Sequence, residues 1–187
     1  LQRNDGVVRV TTVPAFATRW LLPRLPAFAE RHPGIEVDVR TSLAFERLDT
    51  GAYDLAIRLA LDSDMPGAPL LPIHLMPVWS TACQDRIERP ADLLGQALLG
   101  PEHRPEFWRE WLRCAGLADA SVRIRDVDAL LLYERTLREP VVAIGIEPLV
   151  SGLLSEGRLQ ALSASRMRSA RSFFLVGSDE TQRREVR

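Results

Sequence analysis

The stretch from Val7 to Val39, VVRVTTVPAFATRWLLPRLPAFAERHPGIEVDV, limits what this chain can fold into more than any other. Val7, Val8 and Val10 to Val13 are all β-branched, which suits a strand. The run hardly alternates, as expected of a strand covered on both faces. Pro14, Ala15 and Phe16 break it. Trp20, Leu21, Leu25, Phe28 and Ala29 then recur at helical spacing and form one apolar stripe. Pro23 and Pro26 predict that the helix proper starts near Pro23, after an irregular or 3₁₀ entry. His32-Pro33-Gly34 stops the helix, with His32 favourably placed at its carboxyl end. Ile35, Val37 and Val39 alternate with Glu36, Asp38 and Arg40 in a second strand. Strand, helix and strand make a parallel, right-handed βαβ unit. Ligands bind such sheets beyond the carboxyl ends of their strands. The loop holding Thr12, Pro14, Ala15 and Phe16 is therefore the first site candidate, at a helix amino end that favours anions.

The rest of the chain continues the α/β pattern. A short helix from Phe45 to Thr50, ended by Gly51, precedes a third alternating strand from Tyr53 to Leu59. Pro66 to Pro72 is an irregular connector. His74 to Ala82 and Leu98-Leu99 read as strands, with a short helix entry at Pro90 to Leu94 between them. Phe107, Trp108, Trp111, Leu112 and Ala115 mark a helix closed by Gly116. A strand from Val122 to Val127 leads to Asp128, which can cap a helix from Ala129 to Arg138. Pro140 ends that helix. Val141 to Ile146 is a buried strand, and Pro148 to Glu156 a helix capped at Gly157. Ser172 to Val176 is a last strand, and a final helix is expected to start at Ser178 and to be cut short.

Composition narrows the function. The 187 residues suit one large domain or two lobes, and a net charge of −1 gives no basic face for nucleic acid. No apolar run approaches the ~20 residues of a membrane span. Cys83 and Cys114 are two unclustered thiols, for which packed free cysteines in a reducing compartment fit best, ahead of a disulfide or a metal role. His32, His74 and His103 lack ligand spacing. No nucleophile elbow or phosphate-binding glycine loop is present, which argues against an enzyme and against a cofactor. Arg166 to Arg171 reads as a solvated face.

The positive signal is a binding cleft. Thr41 and Ser42 end the second strand and add hydroxyls to the Thr12–Phe16 loop. Arg58, at the end of the third strand, is either a partner for a ligand carboxylate or part of a structural salt bridge. Asp128 is either a helix cap alone or a carboxylate facing the cleft.

VRVTTVPAFATRWLLPRLPAFAERHPGIEVDVRTS resembles the start of the effector-binding domain of LysR-type transcriptional regulators, most closely the glycine-cleavage-activator branch. YDLAIRL at Tyr53 to Leu59, WREWLRCAGL at Trp108 to Leu117 and VVAIGIEPLVSGLLSEGRL at Val141 to Leu159 extend the resemblance over nearly the whole chain. It implies a periplasmic-binding-protein type II fold, with two α/β lobes joined by two crossover strands. The first lobe would be 1–75 with 147–187, and the second 76–146. It also implies a small-molecule effector held by Thr12 to Phe16, Thr41, Ser42 and Arg58, with Val127 and Asp128 across the cleft. Ala15 stands where many relatives carry Ser, and Asp128 where the branch often has a neutral residue. Those departures point to an amine-bearing or zwitterionic effector. By the same resemblance, the protein is cytoplasmic and dimerises through the exposed flank of its first helix. The full-length protein forms tetramers, and DNA is bound only through a winged helix-turn-helix domain that does not precede Leu1 here. A solute-binding protein of a transport system is the alternative with the same fold.

Overall fold

In the computed structural model, which describes residues 6–44, 51–65, 68–83 and 86–177, the chain divides into two compact units. Unit 1 holds residues up to Pro72 and from Ala170 onward; unit 2 is Ile73–Ser169. The resemblance puts the later boundary at 146/147, whereas the structure draws it at 169/170. The reason is local. Strand β8 (Gln160–Ala161) pairs with Val78 and Trp79, and the Trp111 indole Nε1 donates to Ser165 O at 2.9 Å. Both contacts hold residues 147–169 to unit 2.

In unit 1 the sheet order is β2-β1-β3-β9, from β1 (Val7–Thr12), β2 (Glu36–Thr41), β3 (Leu55–Leu61) and the unit 1 part of β9 (Met167–Gly177). β1 runs parallel to β2 and β3, while β9 is antiparallel to β3. The βαβ unit thus forms as expected, but its helix starts earlier. Pro14 sits at the first helical position, and the run passes through α1 (Pro14–Phe16), a π turn (Ala17–Leu21), a 3₁₀ turn (Leu22–Arg24) and α2 (Leu25–Arg31). Pro at the first position costs no hydrogen bond. Pro23 and Pro26 have no N–H to give an α-helical ladder, so the path around them changes pitch instead of starting there. Phe16 anchors the run. It is fully buried, 5.0 Å from the Trp20 ring and 4.4 Å from Phe173. The stripe from Trp20 to Ala29 is not core: nothing from Leu22 to Arg31 is buried.

Unit 2 carries the order β4-β7-β5-β6. Its strands are β4 (Leu71–Trp79, inside this unit from Ile73), β5 (Leu98–Pro101), β6 (Ile124–Val127) and β7 (Val142–Glu147). β7 is antiparallel to β4 and parallel to β5, which is parallel to β6. β5 is buried throughout and β7 almost so, as unbroken apolar strands in the middle of a sheet must be. Helix α3 (Glu106–Cys114) lays Phe107, Trp108, Trp111 and Leu112 into the core. Trp108 Nε1 donates to Leu99 O at 2.7 Å, so the buried indole keeps a partner. Gly116 follows in the left-handed region at φ 74° and closes the helix as expected. Helices α4 (Leu131–Thr136) and α5 (Ser151–Ser155) are shorter than the periodicity suggests, and 148–150, ahead of α5, are turns.

Other expectations shift. β4 starts at Leu71, inside the expected irregular connector. Arg166 to Arg171 is not a simple solvated face: β9 starts at Met167, and Ser169 is buried with its hydroxyl on Glu110 at 2.9 Å. Both cysteines are free, but only Cys83 is packed; Cys114 is exposed. The helices expected at Phe45–Thr50 and from Ser178 lie outside the described residues.

Candidate functional site

Two parallel strands of unit 1, β1 and β2, end together while β3 runs on beside them, and this brings most of the expected residues side by side. Thr12, last in β1, is in register with Thr41 of β2 and with Ile57 of β3. Its hydroxyl donates to Ile57 O at 3.1 Å, and its carbonyl accepts from Ser42 N at 3.0 Å. Thr12 is fully buried, so its own hydroxyl serves the sheet, whereas Thr41 is exposed and Ser42 half-buried. The Ser42 hydroxyl accepts from Ala44 N at 3.1 Å, which holds the chain in a turn just past the strand. Pro14 follows two residues after β1, half-buried, with Ala15 and Phe16 buried beneath it. The first intrahelical bond runs from Ala17 N to Val13 O at 3.1 Å. The amides of Ala15 and Phe16 precede it and lie outside the helical ladder.

Arg58 is in the interior of β3 rather than at its end, and only 3% exposed. Its Nη2 donates to Thr11 Oγ1 at 2.9 Å and its Nη1 to Ile57 O at 3.1 Å. Thr11 is the residue that reading the sequence missed. It is directly opposite Ala56, so side-chain alternation puts it on the same sheet face as Arg58. Nothing local in the sequence signals that, because the two residues are 47 positions apart and meet only through the strand register. The guanidinium places a fixed positive charge on this face of the sheet.

In unit 2, Val127 ends β6, buried, in register with Pro101, and its carbonyl accepts from Glu102 N at 2.9 Å. Asp128 is exposed. Its Oδ1 accepts from Leu130 N at 2.8 Å, and its carbonyl accepts from Leu131 N and Leu132 N at 3.0 Å. That is the bonding of a helix N-cap, although the regular helix is counted only from Leu131. The capping half of the expectation for Asp128 is thus present in the structure. Leu130 and Leu131 beside it are large and exposed, at 40% and 54%.

No group of three or more His, Cys, Asp or Glu side chains suited to a metal ion occurs among the described residues. No helix among them is long and apolar enough to cross a membrane.

The model of the LysR substrate binding domain matches residues 1–187. The HTH-type transcriptional activator AmpR of Citrobacter koseri is 30% identical over 161 residues, covering 83% of this chain and 53% of that protein. The glycine cleavage system transcriptional activator of Escherichia coli (strain K12) is 26% identical over 183 residues, or 93% of this chain and 59% of that protein. The chain therefore spans somewhat more than half the length of these relatives. Among solved structures, the effector domain of the transcriptional regulator AmpR of Pseudomonas aeruginosa matches with a TM-score of 0.75 and 26% identity, covering 93% of this chain and 86% of that one. Two α/β units, each with a mixed sheet, and a chain that passes between them twice agree with the periplasmic-binding-protein type II fold of such domains. Strand order, fold and the match along the whole sequence agree: the chain belongs to the LysR substrate-binding-domain family.

Proposed function

We propose that this chain is the effector-sensing domain of a LysR-type transcriptional regulator, which binds a small metabolite and catalyses nothing itself. The observation that carries the reading is the family match over residues 1–187. The relatives named above are regulators, and the solute-binding alternative is set aside. The effector's acidic group is held by the exposed hydroxyl of Thr41, by Ser42, and by the amides of Ala15 and Phe16 at the start of the helix, where Pro14, which has no N–H, shapes the turn. Arg58 supplies the positive charge behind them. Thr12 shapes this edge without touching the ligand. Val127 and Asp128 are further effector-binding residues, carried by unit 2, and the Asp128 carboxylate favours an amine-bearing or zwitterionic effector. The ligand works by favouring one arrangement of the domain over another, through a difference in its affinity for the two. The regulator is cytoplasmic. Its DNA contacts are made by a helix-turn-helix part of the longer protein, and this domain contributes self-association, as a dimer and, in the full-length protein, a tetramer.

The test is titration calorimetry with free amino acids, their N-acetyl derivatives and the matching amines, on wild type, Ser42→Ala and Arg58→Gln, with folding checked by thermal melts. Wild type should bind a zwitterion in preference to either half. Loss of one neutral hydrogen bond in Ser42→Ala should weaken it by roughly 2- to 12-fold, and Arg58→Gln by more. Unchanged affinity in both folded variants would remove these residues from the site. Absence of any heat across the panel would count against this effector class.

A further inference from the structure

Strands β4 and β9 are where the chain leaves unit 2, at Ile73 and at Ser169. One small cluster of charged groups lies close in sequence to both exits. His74 on β4 is in register with Glu147, the last residue of β7. The Glu147 Oε2 atom accepts from Arg166 Nε at 2.7 Å and lies 2.6 Å from Arg166 Nη2. The same oxygen lies 3.7 Å from His74 Nδ1. A single carboxylate oxygen is therefore claimed by a permanent cation and approached by a titratable one. Arg168, at the start of β9, is the other charged group that acts on His74, and its guanidinium bonds to Ser169 O.

From this arrangement we infer that His74, Glu147 and Arg166 form an acid-sensitive clamp that fixes β4 and the entry to β9 to the end of β7. With His74 neutral, Glu147 belongs to Arg166 and the tie from β7 to the β9 entry is closed. A proton on His74 puts a second positive charge beside Oε2. It competes for that oxygen, repels Arg166 and Arg168, and loosens the tie.

The preference for the neutral ring has physical causes. Burial holds the His74 pKa below its ordinary 6.5, and Arg166 and Arg168 push the same way, while Glu147 alone opposes them. Because the folded unit resists that proton, the unfolded chain binds it first as pH falls. Stability contributed by neutral His74 is present above about pH 6.5 and is lost as pH falls from there towards the lower folded value.

Imidazole NMR on the 187-residue chain, followed from pH 8 to 4.5, reads the proton directly. Hydrogen exchange of segments 71–79 and 163–170, corrected for intrinsic pH effects, reads the clamp. The His74 midpoint should fall below 6.5, and Arg166→Gln should raise it by removing a repelling charge. Protection in 163–170 should drop as His74 titrates in wild type and stay level in His74→Gln. A midpoint at or above 6.5 would overturn the proposal, as would one that Arg166→Gln leaves in place. So would an equal loss of protection in wild type and His74→Gln. The Arg166→Gln titration keeps the idea open to refutation even if His74→Gln fails to fold.

Discussion

Asp128 shows how one side chain can be read in two ways and decided in part. Its Oδ1 holds Leu130 N at 2.8 Å, and its carbonyl accepts the first helical bonds. Asp128→Ala should therefore destabilise the chain by about 0.5–2 kcal/mol in urea unfolding, while Asp128→Asn, which keeps an acceptor, should stay close to wild type. Equal losses in both variants would mean that charge, not capping, is what this position supplies. The same Asp128→Asn protein separates the second role, because weaker binding of an amine-bearing effector at unchanged stability can only come from ligand contact. Arg58 is the contrasting case. Its residue type was legible as a candidate cation, but its partner Thr11 depends on the register of β1 against β3.

At the scale of elements, the central pair in unit 2 is set by a glycine. Gly145 on β7 is opposite Met76 on β4, and a Cβ there would lie 2.6 Å from Val78 Cγ1 and 2.9 Å from Met76 O. The close approach to backbone leaves no flexible side-chain end to move aside. Gly145→Ala should cost about 1–3 kcal/mol, seen as a lower urea midpoint with the slope unchanged. A neutral result would show that β4 and β7 can separate at this point. Strand β7 was plain in the sequence because VAIGIE is nearly all apolar. The early start of the helix at Pro14 was not, because three prolines in 13 residues argue for a late one, and side-chain spacing does not show the π and 3₁₀ turns that absorb them.

On the scale of the molecule, the first helical run keeps apolar surface open on its flank, outside the stripe that periodicity assigns. Leu22 is 45% exposed, and Ile35, just before β2, is 39% exposed. Among the described residues, β2 ends the sheet order of unit 1 and so offers an edge. The flank of the first helix is our proposed self-association face, set against the second unit of another copy, and a two-fold pairing would bury both patches on both copies. Light scattering should find a discrete dimer at tens of micromolar and a monomer for Leu22→Arg. The melting temperature of monomeric Leu22→Arg should stay near that of dilute wild type, since exposed substitutions seldom move stability by more than about 0.5 kcal/mol. A wild-type chain that stays monomeric, or a Leu22→Arg dimer, would place the interface elsewhere.

By itself the sequence determined the α/β class, the βαβ start, the apolar strands β5 and β7, and the ends of the strands as the place to look for a ligand. These follow from side-chain periodicity and from backbone chemistry, which act over a few residues. Only the tertiary structure decided that Thr12, Thr41 and Ser42 end side by side, that Thr11 holds Arg58, and that 147–169 belong with unit 2. It also decided that His74 and Arg166 meet at one oxygen of Glu147. Each of these depends on strand register or on contacts between distant segments. A one-residue slip in register would turn every side chain to the other face, and a sequence pattern of period two carries no mark of which partner residue it will meet.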